Sequence, residues 1–360
     1  MVDLRVFHCP DYTDSNPYQS ELARGLEEEP VEVVPVAADG IFPLLQAWLR
    51  HGRPDIVHIH WAHRFIDVDR RGMRLFSIAL AIRTICEIMF LRLCGIPVVW
   101  TVHNVLSHEQ RVPRIELLYR RGLARAVNRL IVHCNHARTI IVDRYRLQRD
   151  DRITVIPHGS FRSCYPDPMS RCEARSRLDL DDEETVLLFF GLIRPYKQVP
   201  ALIDRFGAIS DPDGRLVVVG NPWDDELRND VNAAAAKSTQ VQTVLEFVPD
   251  DQVPMYLSAA DAIVLPFDDI LTSGSAILGV SFGRAVIAPA RGCLPELLGE
   301  HGGILFDPAS PDGLGEALST ALHDRDRLHT MGDRNRQFSK RMTWHDIGKQ
   351  TTALYENLTI

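Results

Sequence analysis

The chain has 360 residues, of which 45% are apolar and 24% are charged. This length exceeds one typical core and suits two α/β domains of ordinary soluble composition. No stretch of 18 residues is free of charged side chains, and the N-terminal residues lack the basic and apolar segments of a signal peptide. We therefore expect no transmembrane helix and a cytoplasmic location.

The formal net charge of −8 is distributed unevenly. Residues 1–162 contain 22 Lys and Arg against 18 Asp and Glu, or +4, and the remainder contains 18 against 30, or −12. The basic excess is sharpest over 70–129, which contains 11 Arg and three Glu. A basic region in an acidic chain predicts a local anionic partner and argues against non-specific binding to nucleic acid.

Short apolar runs alternate with helical stretches along the whole chain. The first series of expected strands covers 2–9, 31–36, 56–60, 98–103, 129–134 and 154–156. The second series covers 185–190, 215–219, 244–247, 262–266, 285–288 and 303–306, with helices at 198–206, 251–258, 275–282 and 311–323. Continuous apolar runs are typical of parallel strands that are covered on both faces. Two successive βα series predict an α/β protein with two doubly wound domains that face each other across a cleft.

One candidate site opens a helix in the second half of the chain. The expected strand at 262–266 is followed by a loop and then by Thr272, Ser273, Gly274 and Ser275. Backbone N–H groups at a helix N-terminus are unpaired within the helix and favour an anion. The segment therefore predicts a diphosphate cradle, and the alternative is that Thr272 or Ser273 only caps the helix.

A second candidate site follows the expected strand at 185–190. The strand ends at Gly191, and the loop after it carries Arg194 and Lys197. Two cations beside a strand-end glycine would neutralise the charge of a departing diphosphate. A basic turn exposed to solvent is the alternative.

Histidines follow two strands of the first series. His103 ends the expected strand at 98–103, Asn104 follows it, and His108 and Glu109 come a few residues later. His60 ends another expected strand at 56–60 and Trp61 follows it, and His58 within that strand is the histidine expected to be buried. Histidine suits proton transfer near neutral pH, and Glu109 would orient it or act as the base. The spacing matches no HExxH or comparable pattern, so we expect no metal.

Several segments together resemble a known family. Residues 191–198 are similar to a Gly-Arg-Leu-x-x-x-Lys-Gly motif, with Lys197 at the matching place, Arg194 displaced and Gln198 in place of the second Gly. Segments similar to later motifs of the same family stand in order at 245–249, 259–266, 283–288, 291–296, 303–308 and 343–358. The chain thus resembles the GT-B glycosyltransferases, specifically family 4, over nearly its whole length.

The resemblance implies three segments with separate roles. Residues 1–165 form an acceptor-binding Rossmann-like domain, 166–342 form a domain that binds the nucleotide sugar, and 343–360 form a helix that crosses back to the first domain. The motifs look like a bacterial branch that builds exopolysaccharide or lipid-linked oligosaccharide, with some members resembling β-mannosyltransferases. The implied reaction needs neither a metal nor a cofactor, and its donor is GDP-mannose or a UDP-sugar.

The chain departs from the family at the donor site. Two glutamates that stand eight positions apart in the family are replaced by Ile270 and Leu278, so the segment 272–275 would hold the donor through its phosphates. Phe247 and Val248 are expected near the base. The usual Gly-Gly loop near the N-terminus is also missing. Residues assigned to the acceptor side are Asn16, Tyr18, His60, Trp61, Asn104 and His108.

A basic and strongly apolar helix is expected over 70–92, where Arg74, Arg83 and Arg92 recur at roughly helical spacing. Such a helix can lie in the interface of an anionic membrane, supported by the second basic stretch at 111–129. A core helix flanked by solvated arginines is the alternative. Peripheral contact through 70–129 would place the protein on the inner face of the cell membrane, close to a lipid-linked acceptor.

The resulting hypothesis is transfer of a hexose, with His103 or Glu109 accepting or positioning the acceptor proton and Arg194 and Lys197 stabilising the leaving diphosphate. Two alternatives stay open. A sugar-nucleotide epimerase of the same fold would need no lipid acceptor. A catalytically silent partner of another transferase would bind the donor without turnover, as the loss of carboxylates at 270 and 278 allows.

Overall fold

The computed structural model describes residues 4–14, 16–66, 74–107, 112–148 and 151–359. Two compact units are present: Met1–Gly159 with Thr343–Ile360 form the first, and Ser160–Met342 form the second. The chain thus leaves the first unit after residue 159, whereas the expected division followed residue 165.

The first unit contains a six-stranded, entirely parallel sheet. Its strands are β1 (Leu4–Cys9), β2 (Val31–Pro35), β3 (Ile56–Ile59), β4 (Val98–Thr101), β5 (Arg129–Val132) and β6 (Ile153–Val155), in the order β2-β1-β3-β4-β5-β6. The connecting helices are α1 (Pro17–Glu27), α2 (Pro43–His51), α3 (Arg74–Leu93), α4 (Pro113–Ala126) and α5 (Asn135–Tyr145). β3 and β4 are buried at every residue, as expected for central strands covered by helices on both faces.

Two strands of this sheet end earlier than expected. β4 and β5 were expected at 98–103 and 129–134, but β4 ends at Thr101 and β5 ends at Val132. The Val102 amide donates to the carbonyl of Ile131, and the Ile156 amide donates to the carbonyl of Val132. Beyond these two residues neither strand is paired in the sheet. The difference places His103 and His133 beyond the carboxyl ends of the strands, where parallel sheets bind their ligands.

The second unit has a parallel sheet of the same size. Its strands are β7 (Thr185–Phe190), β8 (Gly214–Val219), β9 (Val241–Val244), β10 (Ala262–Val264), β11 (Ala285–Pro289) and β12 (Gly303–Phe306), in the order β12-β11-β10-β7-β8-β9. Its helices are α6 (Arg171–Arg177), α7 (Val199–Gly207), α8 (Asp225–Ala235), α9 (Val253–Ala259), α10 (Gly274–Ser281), α11 (Leu294–Leu298), α12 (Gly313–His323) and α13 (Arg325–Ser339).

The expected strand at 244–247 is wrong, because β9 spans Val241–Val244 instead. β9 pairs with β8 only as far as Val219↔Val244, where β8 ends. The carbonyl of Leu245 is then bound by the Arg228 guanidinium, at 2.7 Å from Nη1. Phe247 consequently lies in an exposed loop after the strand.

The last helix, α14 (Trp344–Thr359), belongs to the first unit and packs along α1. The two helices approach closely because glycines face each other: a Cβ added at Gly348 would lie 2.1 Å from the carbonyl oxygen of Gly25. A Cβ at Gly25 would lie 2.3 Å from the carbonyl oxygen of Trp344. Side chains at either position would therefore force the two helices apart.

The 20-residue helix α3 leaves many large apolar side chains exposed. These are Leu75, Phe76, Ile78, Ile82, Met89, Phe90 and Leu93. Among the described residues, no helix combines the length and apolar content that crossing a bilayer requires. The basic character of this surface is weaker than expected, because Arg83 is mostly buried and donates to the carbonyls of Gly40, Ile41 and Phe65.

Candidate active site

Gly191 at the end of β7, Ser275 at the N-terminus of α10 and the side chain of Lys197 lie close together in the second unit. Gly191 has φ +118°, a backbone conformation that favours glycine. A Cβ built at Gly191 would lie 3.3 Å from Oγ of Ser275 and 3.7 Å from Nζ of Lys197. The strand-end glycine, the helix tip and the buried lysine, which the sequence assigned to the diphosphate, are therefore neighbours within one unit.

The tip of α10 combines a side-chain cap with backbone amides that the helix leaves unbonded. Ser273 is the N-cap, and its Oγ accepts from the Ala276 amide at 3.1 Å. By helix geometry, the amides of Gly274 and Ser275 cannot be bonded within α10. Gly274 is exposed and a Cβ there would meet only Phe161, at 3.7 Å. Ser273 thus caps the helix, whereas the next two amides remain for an anion.

Lys197 is a buried cation held among aromatic rings. Its Nζ lies 5.8, 6.0 and 5.5 Å from the ring centroids of Phe189, Tyr196 and Phe267. Burial, reinforced by the charge of Arg194, lowers the pKa of Lys197 to about 7. An anion placed beside Nζ would stabilise the charged form and raise this pKa again.

Arg194 is positioned by an aromatic residue that the sequence analysis missed. Its guanidinium carbon lies 4.3 Å from the ring centroid of Trp223, a cation–π arrangement. The two loops are joined because the Ile193 amide donates to Asn221 at 3.0 Å, continuing the β7–β8 pairing. The available signal was the position of Trp223 just after β8, at the same edge of the sheet as Gly191.

The remaining donor-side candidates differ in accessibility. Thr272 is half-buried, with Oγ1 3.7 Å from Sγ of Cys293. Phe247 is 72% exposed and Val248 is half-buried. Phe247 is thus open to a ligand.

Six histidines of the first unit are buried at the carboxyl side of its sheet. They lie at or after five different strands, and their rings contact one another and Tyr18. The members of this histidine cluster are His8, His58, His60, His103, His133 and His158. His103 and His60 were predicted from the sequence as site residues, whereas His8, His133 and His158 were not. His133, directly after an apolar strand, carries the same signal that selected His103.

His103 packs against aromatic rings and another histidine of the cluster. Its ring stacks on Trp61, with centroids 4.8 Å apart and planes at 11°, and meets the edge of Tyr18 at 4.7 Å. Its Nδ1 lies 3.4 Å from Nε2 of His133, and its Nε2 has no hydrogen-bond partner among the described residues. Burial, followed by the neighbouring histidines, lowers the pKa of His103 well below its usual value.

The other acceptor-side candidates differ in their contacts and exposure. Asn16 is the N-cap of α1, where its Oδ1 accepts from the Tyr18 amide at 3.0 Å. The carbonyl of Asn104 accepts from Arg120 at 2.6 Å, which fixes the backbone after His103. His60 is 1% exposed, so its ring packs inside the cluster with His103 and is closed to an acceptor, contrary to the expected contact. His108 and Glu109 lie outside the described residues.

Three histidines of the cluster are close enough to share a metal ion but fit one poorly. One ring nitrogen from each of His8, His58 and His60 lies within 4.8 Å of the others. Both nitrogens of His58 are engaged, by Tyr355 Oη at 2.6 Å and Thr101 Oγ1 at 2.7 Å. The rings of His58 and His60 are also stacked 4.2 Å apart, whereas a shared ion must lie close to both ring planes. The set therefore serves the packing of the unit.

Comparisons with known proteins identify the family. The model for glycosyl transferases group 1 matches residues 170–338, and the model for Glycosyltransferase Family 4 matches residues 4–160. A GDP-mannose:glycolipid 4-beta-D-mannosyltransferase of Xanthomonas campestris pv. campestris is 30% identical over 276 residues, which cover 77% of this chain and 70% of that relative. The chain belongs to the group 1 glycosyltransferases.

Solved structures confirm the fold expected for this glycosyltransferase. Sucrose-phosphate synthase from Thermosynechococcus elongatus matches with a TM-score of 0.77 at 17% identity, covering 99% of both chains. Anabaena HepE in complex with UDP matches with a TM-score of 0.73 at 15% identity, covering 98% of this chain and 100% of that chain. The expected α/β class with two doubly wound parallel sheets of the GT-B type is confirmed.

In this glycosyltransferase the two positions that lack the family's glutamates are closed to solvent. Ile270 is 7% exposed and Leu278 is 6% exposed, so both side chains belong to the apolar core of the second unit. A carboxylate at either place would be costly to bury unless a hydrogen-bond donor or a cation were paired with it. The polar side-chain atoms nearest to a Cβ built at Gly191 are Ser275 Oγ and Lys197 Nζ.

Proposed function

We propose that this glycosyltransferase moves mannose from GDP-mannose to a glycolipid acceptor at a membrane surface. Two observations support the proposal. The relative from Xanthomonas campestris is named for that donor and that acceptor class. Within the second unit, a helix N-terminus, a buried lysine and the half-buried Gly191 lie close together, as a diphosphate site would require. A UDP-sugar is the competing donor, because Anabaena HepE was solved with UDP.

The convergence of Gly191, Lys197 and Ser275 carries the proposal. As the sugar departs, the diphosphate gains negative charge that must be stabilised. Lys197 and Arg194 contribute cations, and the amides at 274 and 275 contribute hydrogen-bond donors and the positive end of the helix dipole. The charge is therefore balanced by the protein's own groups, and we expect transfer to continue in the presence of EDTA.

His103 is the proposed base of the first unit. Its buried ring is neutral near pH 7, so it can take a proton from the acceptor hydroxyl. Direct attack by that hydroxyl would invert the anomeric centre. Trp61 and Tyr18, which hold the ring from two sides, would form the wall against which the acceptor sugar packs.

The exposed apolar side chains of α3 support peripheral membrane contact. Leu75 and Leu93 are 83% and 84% exposed, and a helix with such a surface lies in the headgroup region without crossing it. Exposed Arg92, Arg114 and Arg125 lie in the same part of the chain and would favour anionic lipids. Contact through 70–129 would bring the enzyme to a lipid-linked acceptor on the inner face of the membrane.

Transfer from labelled donors to a bacterial glycolipid extract tests the reaction. Wild-type protein should transfer mannose from GDP-mannose and not hexose from UDP-glucose. Lys197→Met should lower kcat roughly 100-fold, the size seen when one group stabilising transition-state charge is lost. Lys237→Gln is the matched control, because Lys237 is an exposed lysine of the same unit paired with Asp204.

Four outcomes would contradict the proposal in different ways. Transfer only from a UDP-sugar would refute the donor. An isomerised donor without transfer would indicate an epimerase, and binding of GDP-mannose without any turnover would indicate a silent partner. Equal activity of Lys197→Met and Lys237→Gln would refute the diphosphate site.

Co-sedimentation with lipid vesicles tests the membrane surface. Replacing Leu75 and Leu93 together by Ser should weaken binding at least tenfold, because each buried leucine contributes about 1.5–3 kcal/mol. Binding that is unchanged by this double variant, or absent from wild-type protein on anionic vesicles, would refute contact through α3. Lys237→Gln again serves as the control.

A further inference from the structure

His133 and His103 form a directed pair at the ends of β5 and β4. Nδ1 of His133 lies 3.0 Å from the carbonyl oxygen of Ile156, and Nε2 of His133 lies 3.4 Å from Nδ1 of His103. Both side chains are more than nine-tenths buried, at 7% and 9% exposure. All three residues belong to the first unit, so the arrangement is defined within one compact body.

The backbone carbonyl determines which nitrogens carry protons. A carbonyl oxygen only accepts, so Nδ1 of His133 must carry a hydrogen. A neutral imidazole has one N–H, which leaves Nε2 of His133 as an acceptor. Nδ1 of His103 must then donate to it, and Nε2 of His103 is left with a lone pair. Two N–H groups thus point in the same direction, from His103 through His133 to Ile156.

The rings cannot easily exchange these roles. His103 is stacked on Trp61 and bounded by Tyr18, so a ring flip would require the surrounding aromatic side chains to move. His133 is bounded by Tyr18 at 5.5 Å and His158 at 5.4 Å between ring centroids. Burial keeps the rings neutral, since it lowers the pKa of His133 to about 4.

We propose that His133 is a positioning residue that fixes His103 in the Nδ1–H tautomer, so that Nε2 of His103 is the atom that accepts the acceptor's proton. The inference rests on the proposed function and specifies its base. The unpartnered, buried Nε2 of His103 is the observation that favours it, because an unsatisfied buried nitrogen is costly unless a ligand completes it.

The proton transfer balances without any added reactant. The acceptor oxygen bonds to the anomeric carbon, and the bond from that carbon to the diphosphate oxygen breaks with its electron pair. The hydroxyl proton moves to Nε2 of His103, which becomes an imidazolium. The His133 lone pair and the Ile156 carbonyl then stabilise that cation through the two aligned N–H groups, and the proton is released to solvent after the product leaves.

The tautomer can be read directly, without an activity assay. Protein containing ¹⁵N-labelled histidine, with the His103 signals assigned by comparison with His103→Gln, should show Nδ1 protonated and Nε2 unprotonated at pH 7.5. His133→Phe keeps the ring volume but removes the acceptor, so the His103 tautomer should shift towards Nε2–H. His133→Gln places an amide oxygen near the position of Nε2 and should restore the wild-type tautomer.

The kcat of each His133 variant should change in parallel with the tautomer of His103. His133→Phe should lower kcat roughly 10- to 100-fold, part of the effect of general-base catalysis, while the KM for the donor changes little. His133→Gln should recover most of this loss. His8→Phe is the matched control, because it removes another buried imidazole of the same cluster that does not contact His103 through a hydrogen bond.

Two results would overturn the inference. One is an Nε2–H tautomer of His103 in wild-type protein. The other is a His133→Phe protein with the wild-type tautomer or with kcat no lower than that of His8→Phe. If wild-type protein transfers no sugar, the proposed function fails, whereas the ¹⁵N spectra still decide whether His133 sets the tautomer.

Discussion

The hydroxyl of Tyr355 on α14 lies 2.6 Å from Nδ1 of His58 on β3, although 297 residues separate them in the sequence. The same hydroxyl lies 3.3 Å from Nε2 of His8 on β1. On the other side, Nε2 of His58 meets Thr101 Oγ1 at 2.7 Å. A buried polar chain therefore connects the last helix to three neighbouring strands and fastens it to the first unit.

Tyr355→Phe should destabilise the first unit by about 1–3 kcal/mol, because it leaves Nδ1 of His58 buried without its partner. Urea unfolding followed by tryptophan fluorescence measures the effect, since four of the five tryptophans belong to this unit. Tyr119→Phe is the matched control: the Tyr119 hydroxyl is buried in the same unit and has no partner of good geometry among the described residues. Equal effects of the two variants would refute a stabilising role for the Tyr355 hydroxyl.

The histidine cluster should make the first unit sensitive to acid. Burial lowers the pKa to about 3 for His8 and His158 and to about 4 for His133, whereas an unfolded histidine titrates near 6.5. The unfolded chain therefore binds protons first as the pH falls below about 6.5. Stability is fully present above that pH, and each such histidine removes about 1.4 kcal/mol per pH unit until its folded pKa is reached.

Hydrogen exchange at pH 7.5 and 5.5, corrected for the intrinsic rates, measures this loss in both units at once. The second unit is the internal control, because its three histidines, His301, His323 and His329, are all exposed. Protection should fall in the core strands of the first unit and stay nearly constant in β7 and β8. A parallel change in both units would contradict a specific effect of the cluster.

The donor side of the site was largely predictable from the sequence because its signals are local. Gly191 directly follows an apolar strand, Lys197 lies in the loop after the same strand, and the tip of α10 ends the loop after β10. Parallel strands bring their carboxyl ends to one edge of a sheet. The contact between Arg194 and Trp223 was not predictable in the same way. It depends on the register of β7 and β8, which the separate apolar runs do not specify.

The residues of the acceptor side were predicted less completely, because their contacts join residues that are far apart in the sequence. His103 was found from its place after a strand, and His133 carries the same signal in the sequence. The role of His58 as a link between Thr101 and Tyr355 needs α14 to return to the first sheet. Alternation along β3 also placed His58 and His60 on the same face, so the expected difference in their burial did not arise.

GDP binding should become weaker as the pH rises through 7. The pKa of free Lys197 is about 7, and a bound diphosphate raises it, so binding takes up a proton wherever the free lysine is neutral. Affinity should therefore be constant below pH 7 and then fall by up to about tenfold per pH unit until the raised pKa is passed. Calorimetric titrations from pH 7 to 9, in buffers of different ionisation enthalpy, measure both the affinity and the proton uptake.

Lys197→Met and Lys197→Arg separate this effect from the titration of GDP itself. Both variants should lose the pH dependence, the first because no charge remains and the second because arginine stays protonated. Lys237→Arg should keep the wild-type profile, since Lys237 is exposed and paired with Asp204. A slope that persists in Lys197→Met would assign the titration to another group.

Gly191→Ala should impair donor binding because it strains the backbone and adds a Cβ where the diphosphate is proposed to bind. The backbone at Gly191 has φ +118°, which an alanine adopts only with strain. The added Cβ would lie 3.3 Å from Ser275 Oγ and 3.7 Å from Lys197 Nζ, where the diphosphate is proposed to bind. We expect at least a tenfold higher Kd for GDP, which corresponds to about 1.4 kcal/mol.

Gly207→Ala is the control for the loss of a glycine as such. Gly207 ends α7, and a Cβ built there meets nothing within 4 Å. This variant should bind GDP like wild-type protein and should be as stable or more stable by about 0.4–1 kcal/mol, because alanine restricts the unfolded chain. If Gly191→Ala kept the wild-type Kd while folding normally, the diphosphate would have to bind away from Lys197 and Ser275.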